Sequence, residues 1–532
     1  MCRAVVRFWV GCCKTRGFEV IGMRKDALAK KLEEIVGSEN VLTDGESLRR
    51  YSSDATGLGS ARLAGAPGAD SHAERVSGAG AVSRPGSVSQ PGSVSQPDME
   101  APRQVFPVAY AVVRPHTPED VRRVVAVAFE EGLPVTARGG GTGLWGGAVP
   151  VCGGIIVSTE RLNAGPEIHK DDLYVIAGAG VVTEWLRNEM EGAGLFYPID
   201  TASEASSTIG GNVAEGARGL RDLKYGTTRN YVLGLEIVTP EAKILNVGAR
   251  TVKSVAGYDV TRLMVGSEGT LGIVTSVILK VLPLPEERRT LSFTFPDSVR
   301  AARAATEIMA GGFSPSALEI MDSRSVRAVE NRLGRPYPGT EPDTDACLLV
   351  EFDGTRSRCD EDASKVRDMM RESFGASVTL EAKHPESRTL WNARRAVLVE
   401  LAKISPTVVI EDFNVPRTQL GAMLEAISKV SHRLDVRIAA FGHAGQGRLH
   451  AAFLADGLAR EAMEKVGGAI SEVTGECVDL GGTASGGGGI GLGNLPPPML
   501  DGSEAGRDVM RRLKALVDPK GIMNPGKMLY EK

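Results

Sequence analysis

The stretch from Tyr197 to Val274 limits the fold of this chain more than any other. It reads YPIDTASEASSTIGGNVAEGARGL, then KYGTTRNYVLGLEIV, then GYDVTRLMVGSEGTLGIV. Glycine-rich turns alternate with β-branched runs, and no long amphipathic helix fits any of the three pieces. Gly210-Gly211-Asn212, Gly216, Gly219 and Gly226 mark a path that bends sharply. Glycine permits such bends because it reaches positive φ and lets backbone approach a ligand closely. Two readings follow: a path that wraps a large flat ligand with backbone amides, or a turn-rich β domain without one.

The chain has 532 residues, enough for two domains or more. A net charge of −4 gives no basic face for nucleic acid or an anionic membrane surface. The seven cysteines (Cys2, Cys12, Cys13, Cys152, Cys347, Cys359 and Cys477) are scattered without a CxxC pair. They support neither a disulfide framework nor an iron–sulfur site, and a reduced, cytoplasmic protein is expected. No apolar run approaches the roughly 18 residues of a membrane-spanning helix. Residues 1–22 are basic and partly apolar but broken by Arg7, too short for a signal peptide. They are expected to be an over-long start before Met23, with a membrane tether as the other reading.

Lys25 to Ile35 carries apolar residues at helical spacing. Residues 59–104 change character: SRPGSVSQPGSVSQP repeats PGSVSQ and lacks any apolar period, which predicts a disordered insertion. Val108 to Val113 then reads as a strand, and Thr117-Pro118-Glu119-Asp120 as a capped helix start. A strand at Pro134 to Ala137 feeds the loop Arg138-Gly139-Gly140-Gly141-Thr142-Gly143-Leu144-Trp145-Gly146. Gly141, Gly143 and Gly146 satisfy the dinucleotide fingerprint literally, and Glu160 lies near its acidic position. That fingerprint requires a helix directly after the glycines. GGAVPVCGG follows instead, and glycine with proline cannot carry that helix. What remains is a concave loop of N–H groups able to hold a pyrophosphate.

From Glu286 the pattern LSFTF, SVRAARAATEIMA, SALEIMD, ACLLVEF, ASKVRDMMRESF, SVTLEA predicts strand–helix–strand–strand–helix–strand, the order of a ferredoxin-like unit. TVVIEDFNV, a helix from Arg417 to Val430, RIAAFGHAG, RLHAAFL and a further helix extend it. The chain closes on DPKGIMNPGKML.

In this order the motifs resemble the vanillyl-alcohol-oxidase superfamily, in the branch of the glycolate oxidase flavin subunit, D-lactate dehydrogenase and D-2-hydroxyglutarate dehydrogenase. The resemblance runs from about Met23 to the end. It implies an α+β fold: a two-lobed PCMH-type FAD-binding domain at 105–285, with a helical part at 23–58, and a ferredoxin-like antiparallel-sheet cap (substrate) domain at 286–500. Residues 501–532 would return to the FAD domain. The implied cofactor is FAD, with its pyrophosphate in the loop formed by Arg138, Gly139, Gly140, Gly141, Thr142, Gly143 and Gly146. Thr142 stands where some relatives carry a flavin-linking histidine, so non-covalent FAD is expected. Pro198, Asp200, Ser207 and Thr208 are implied near the isoalloxazine or its linker, and Gly210, Gly211 and Asn212 against flavin and phosphates. Glu268, Gly269, Gly272, Ile273 and Val274 are implied over the adenine side, and Asn524 near the flavin.

Oxidation of a hydroxy acid needs a cation for the carboxylate, a base for the hydroxyl proton and access to the flavin. Trp391-Asn392-Ala393-Arg394 resembles the family's Trp-x-x-Arg element, so Arg394 is the implied carboxylate fork. FGHAGQGRLH resembles FGHAGDGNLH, whose two histidines, here His443 and His450, bind a divalent metal such as zinc in several relatives. The motif departs from the family at Gln446 and Arg448. The family's SGEHGIG reads Ser485-Gly486-Gly487-Gly488-Gly489-Ile490-Gly491, so the metal-ligand Glu and the basic His have both become glycine. The expectation is an FAD-dependent dehydrogenase of a D-2-hydroxy acid such as D-lactate or glycolate, passing electrons to a partner protein or quinone. An iron–sulfur partner subunit fits that scheme. The alternative is a flavin-carrying or catalytically altered subunit of a larger oxidoreductase.

Overall fold

The computed structural model describes residues 25–54, 109–341, 344–376, 378–383, 387–457, 459–484, 489, 491–492 and 504–528. The expected N-terminal extension and low-complexity insertion fall outside these residues, as do Gly487 and Gly488.

The first lobe is a four-stranded sheet in the order Val41–Leu42, Ala111–Val113, Ile155–Ser158, Val135–Arg138. Its last three strands run parallel. Every residue of Ile155–Ser158 is buried, as a strand covered on both faces must be. Helix Lys25–Val36 supplies Leu28, Leu32 and Val36 to this core. Helix Pro118–Glu131 buries Val121, Val124, Val125 and Ala128, and Thr117 with Asp120 forms a capping box at its start. The second lobe is an antiparallel sheet in the order Glu167–His169, Tyr174–Gly178, Ile273–Lys280, Val232–Val238, Ile244–Gly248. Ile522 and Met523 return to the first lobe's core, where Met523 bridges Val135.

The largest sheet among the described residues has seven strands, in the order Val378–Lys383, Glu287–Phe295, Ala346–Gly354, Ala317–Asp322, Arg437–His443, Arg448–Ala455, Thr407–Asn414. The first four follow the ferredoxin-like order, with the first and third strands in the middle. One helix, Ser323–Leu333, was not legible in the sequence. Its SRSVRAVENRL is dominated by polar residues, yet Val326 and Val329 are buried. It packs with helix Arg388–Ile404 over one face of the sheet, and helices Ser298–Ala310, Arg356–Phe374, Leu420–Leu434 and Arg460–Asp479 cover the other.

A buried ionic lock joins the lobes to this cap. Arg221 Nη1 meets Asp200 Oδ2 at 2.5 Å, and its Nε and Nη2 meet the two Glu351 oxygens at 2.7 and 3.0 Å. Arg395 reaches the same Asp200 oxygen at 3.1 Å. Burial pushes the Asp200 carboxyl up, but Arg221 and Arg395 outweigh it and leave it below its ordinary pKa. Nearby, Lys224 and Tyr225 both bond Asp353, at 2.6 and 2.8 Å. Cys347, Cys359 and Cys477 are free and buried.

Candidate flavin cleft and cap cluster

Strand Val135–Arg138 ends in the glycine loop, and no helix follows between 139 and 154. Among the described residues, nothing accepts a hydrogen bond from the amides of Gly140, Gly141, Thr142 or Gly143. The loop lies hard against the turn before helix Ile209–Glu215. A Cβ at Gly140 would stand 2.0 Å from Ser206 O, and one at Gly139 would stand 2.4 Å from Thr208 Oγ1. Side chains are therefore excluded and bare donors left, the arrangement that suits an oxyanion-rich ligand.

A narrow cleft opens beside this loop, floored by Gly210, Gly211, Asn212, Glu215, Glu268 and Gly272 to Val274. It continues outward into a mouth of about 300 Å³ lined by Arg50, Tyr51, Glu160 and Trp185. Arg138 lines both parts, donates to Ser53 O at 2.5 Å and stacks over Tyr51. Glu215 aims its carboxyl at the loop: a Cβ at Gly143 would come 2.3 Å from its Oε1. Burial, then the charges of Glu268 and Asp54, push the Glu215 pKa up to about 8, so the carboxyl is protonated at neutral pH. The C-terminal segment braces the far side. Asn524 Nδ2 donates to Gly147 O at 2.9 Å and Glu268 O at 2.7 Å, while buried Lys527 Nζ donates to Gly146 O at 2.6 Å. Burial pulls the Lys527 pKa down to about 7.

The second group of polar side chains lies on the cap sheet, and strand register assembles it. Glu319 sits opposite His443, Asp412 opposite His450, and His443 opposite Arg448. Opposed residues on neighbouring strands share a face, so all of them converge. Glu319 Oε1 lies 2.6 Å from His443 Nδ1, and Asp412 bonds His450 Nδ1 and, at 2.8 Å, Arg448 Nη2. The two imidazole centroids are 5.6 Å apart. Burial, only partly opposed by Asp412, lowers the His450 pKa to about 4, so the ring is neutral at pH 7. Arg394 descends from helix Arg388–Ile404, stacks over Phe441 and places Nη2 2.6 Å from Glu319 Oε2. From the lobe side, Asp222 accepts a hydrogen bond from Gln446 Nε2 at 2.6 Å.

Comparison with known proteins decides the family. Residues 109–248 match the family described as FAD binding domain, and residues 284–528 match FAD linked oxidases, C-terminal domain. The chain is 38% identical over 420 residues to glycolate oxidase subunit GlcD of Bacillus subtilis (strain 168), spanning 79% of this chain and 88% of that one. This chain is an FAD-linked oxidase. It is also 34% identical over 441 residues to a D-lactate dehydrogenase of Archaeoglobus fulgidus, spanning 81% of this chain and 94% of the relative. In fold, the oxidase resembles 4-ethylphenol oxidase from Gulosibacter chungangensis, with a TM-score of 0.70 at 17% identity, covering 96% of this chain and 98% of that one. The cofactor is FAD, and the unpartnered amides of the glycine loop fit its pyrophosphate.

The oxidase brings most of the residues expected around the cofactor to one cleft: Arg138, Gly139, Gly140, Gly141, Thr142, Gly143, Ser207, Thr208, Gly210, Gly211, Asn212, Glu268, Gly269, Gly272, Ile273 and Val274. Four do not line it. Gly146 gives its amide to Asp54 Oδ2 at 2.8 Å and faces Leu492. Pro198 is buried away from it, and Asp200 is fully buried in the interdomain lock. Asn524 braces the wall from behind. Arg394 departs from its expected role as an open fork. Glu319 occupies it, and its Nε has neither an acceptor nor exposed surface. The expected metal site also lacks a ligand set: among the described residues, no three His, Cys, Asp or Glu side chains are grouped to hold an ion. Glu215, Glu319 and Asp412 were missed. Pairing TVVIEDFNV with RLHAAFL in register would have exposed Asp412.

Proposed function

We propose that this flavoprotein oxidises a small 2-hydroxy acid such as D-lactate or glycolate, with His450 receiving the hydroxyl proton. The observation that carries the reading is the Asp222–Gln446 hydrogen bond. It ties the chain segment that leaves the cofactor cleft at Glu215 to the loop between the two histidines. When bound, FAD supplies the acceptor for the hydride leaving carbon. The protein supplies the rest. The Asp412 carboxylate takes the Nδ1 proton of His450 as a hydrogen bond, which leaves Nε2 as an acceptor. A pKa near 4 makes a weak base at rest. As hydride departs, however, the hydroxyl becomes that of a protonated carbonyl, acidic enough to give its proton to such a ring. Arg448 pins Asp412, and Arg394 through Glu319 fixes the His443 ring.

Carboxylates on both Nδ1 atoms also suit metal-ligating imidazoles. The third ligand implied by the family is Gly487, which has no side chain to offer, so we favour proton transfer without a divalent ion. FAD is held non-covalently, with Thr142 in place of a linking histidine, by the lobes at 105–285, and the cap at 286–500 handles substrate. Electrons leave to a partner protein or quinone. The name "subunit" borne by the Bacillus relative supports a partner such as an iron–sulfur subunit. Anaerobic addition of D- and L-2-hydroxy acids to the FAD-loaded protein tests the reading. Bleaching by one enantiomer, persisting with chelator, is expected. A flavin that dithionite reduces but no hydroxy acid bleaches would leave a flavin-carrying subunit as the better reading.

A further inference from the structure

A hydroxy-acid oxidase needs a cation free to accept the substrate carboxylate, and the arginines of this site are almost all engaged. Arg394 is closed by Glu319. Arg448 is buried, with Nη2 on Asp412 and Nε lacking both acceptor and exposed surface. Arg221 and Arg395 belong to the interdomain lock, and Arg229 donates to Val265 O at 2.7 Å. Arg218 differs. It is exposed, and among the described residues it has no ion pair or hydrogen bond.

Its backbone is fixed on both sides. The Ala217 amide donates to Asn212 O at 2.8 Å, and the Ala217 carbonyl accepts from Thr228 Oγ1 at 2.8 Å. A Cβ at Gly219 would lie 2.4 Å from Asp200 Oδ1, so the turn is pressed onto the lock. Arg218 is therefore displayed from a rigid point between Glu215, which lines the cofactor cleft, and Asp222, which holds the histidine loop. A substrate reacting with both must cross this turn. Although Arg218 keeps exposed surface, partial desolvation by its neighbours, then the like charge of Arg448, lowers its pKa, while Asp222 and Asp412 oppose. The guanidinium thus feels the cap cluster without being neutralised by a contact.

Building on the hydroxy-acid reading, we propose that Arg218, rather than Arg394, binds the substrate carboxylate. The carboxylate is gripped from the flavin side and the hydroxyl faces His450 on the cap, so the substrate spans the interface. A planar guanidinium suits that grip because it gives two parallel N–H bonds to one carboxylate.

The test uses oxalate as a non-reacting probe, titrated calorimetrically into the FAD-loaded full chain. Arg218→Ala should weaken oxalate binding by about 10- to 100-fold, the usual loss for a charge-assisted hydrogen bond. Flavin content and melting temperature should be unchanged, and Arg218→Lys should recover part of the affinity. Wild-type affinity in Arg218→Ala, or no oxalate binding by the wild type, would overturn the assignment. So would an Arg394→Lys variant that alone loses oxalate while keeping its melting temperature. Anaerobic bleaching separates the two readings. If Arg218→Ala loses oxalate but no hydroxy acid bleaches the wild type, the carboxylate site stands and the reaction does not. If a hydroxy acid bleaches both proteins at the same half-saturating concentration, the reaction stands and Arg218 falls.

Discussion

The cofactor cleft and the cap cluster lie on either side of one short turn, residues 216–222, but they are built in opposite ways. The cleft is made of backbone. Its donors are amides, and its shape depends on side chains being absent at Gly139 and Gly140. The cap cluster is made of side chains that hold one another: Arg394 to Glu319 to His443, and Arg448 to Asp412 to His450. A backbone site needs only a few consecutive residues and is insulated from change elsewhere. A side-chain network transmits each substitution to its neighbours. That contrast explains how the glycine loop stays intact while the cap motif differs from the family at Gln446, Arg448, Gly487 and Gly488.

The largest effect should come from filling the backbone site. Gly140→Val places carbon where Ser206 O already lies, so the purified protein should carry less than about a tenth of the wild-type flavin at unchanged circular dichroism. Full flavin content in this variant would break the backbone account of the cleft. Arg221→Ala should rank next. It strips the buried Glu351 carboxylate of its paired arginine and leaves Asp200 with Arg395 alone, and a urea melt should show a loss of about 3–5 kcal/mol. A loss below about 1 kcal/mol would mean that the lock is not what couples the cap to the lobes. The smallest effect concerns Glu215, whose carboxyl is aimed at the loop. Its folded pKa near 8 is above the ordinary value of 4.5, so the proton is held through neutrality and lost as pH rises through 8. The new charge would face the pyrophosphate, and FAD affinity should fall by about 10-fold between pH 7 and 9, a change of one pKa unit in energy. Glu215→Gln should flatten that slope, and an equal slope in both proteins would assign it elsewhere.

The same contrast governs what could be read from the sequence. The cleft was legible because its needs are local: three successive glycines after a strand, and TIGGN opening a helix capped by Thr208. Asp200 misled because a turn aspartate beside a ligand and one in a salt bridge look alike in sequence. Its partner Arg395 lies 195 residues away. Arg394 and the histidines were visible as motifs, but Glu319 is 124 residues from His443, and only strand register brings them together. Helix Ser323–Leu333 was hidden because its buried stripe is short and surrounded by polar residues.

The proposed oxidation depends on His450 as a working proton acceptor on the cap, oriented by Asp412. Stopped-flow reduction of the flavin by a hydroxy acid, comparing wild type with Asp412→Asn, tests it most directly. An asparagine that keeps its amide oxygen on Arg448 turns its NH2 toward Nδ1, so the ring carries its proton on Nε2 and cannot accept there, and reduction should slow by about 100-fold or more at unchanged flavin content. A reduction rate within about twofold of wild type would contradict the assignment of His450 as the base.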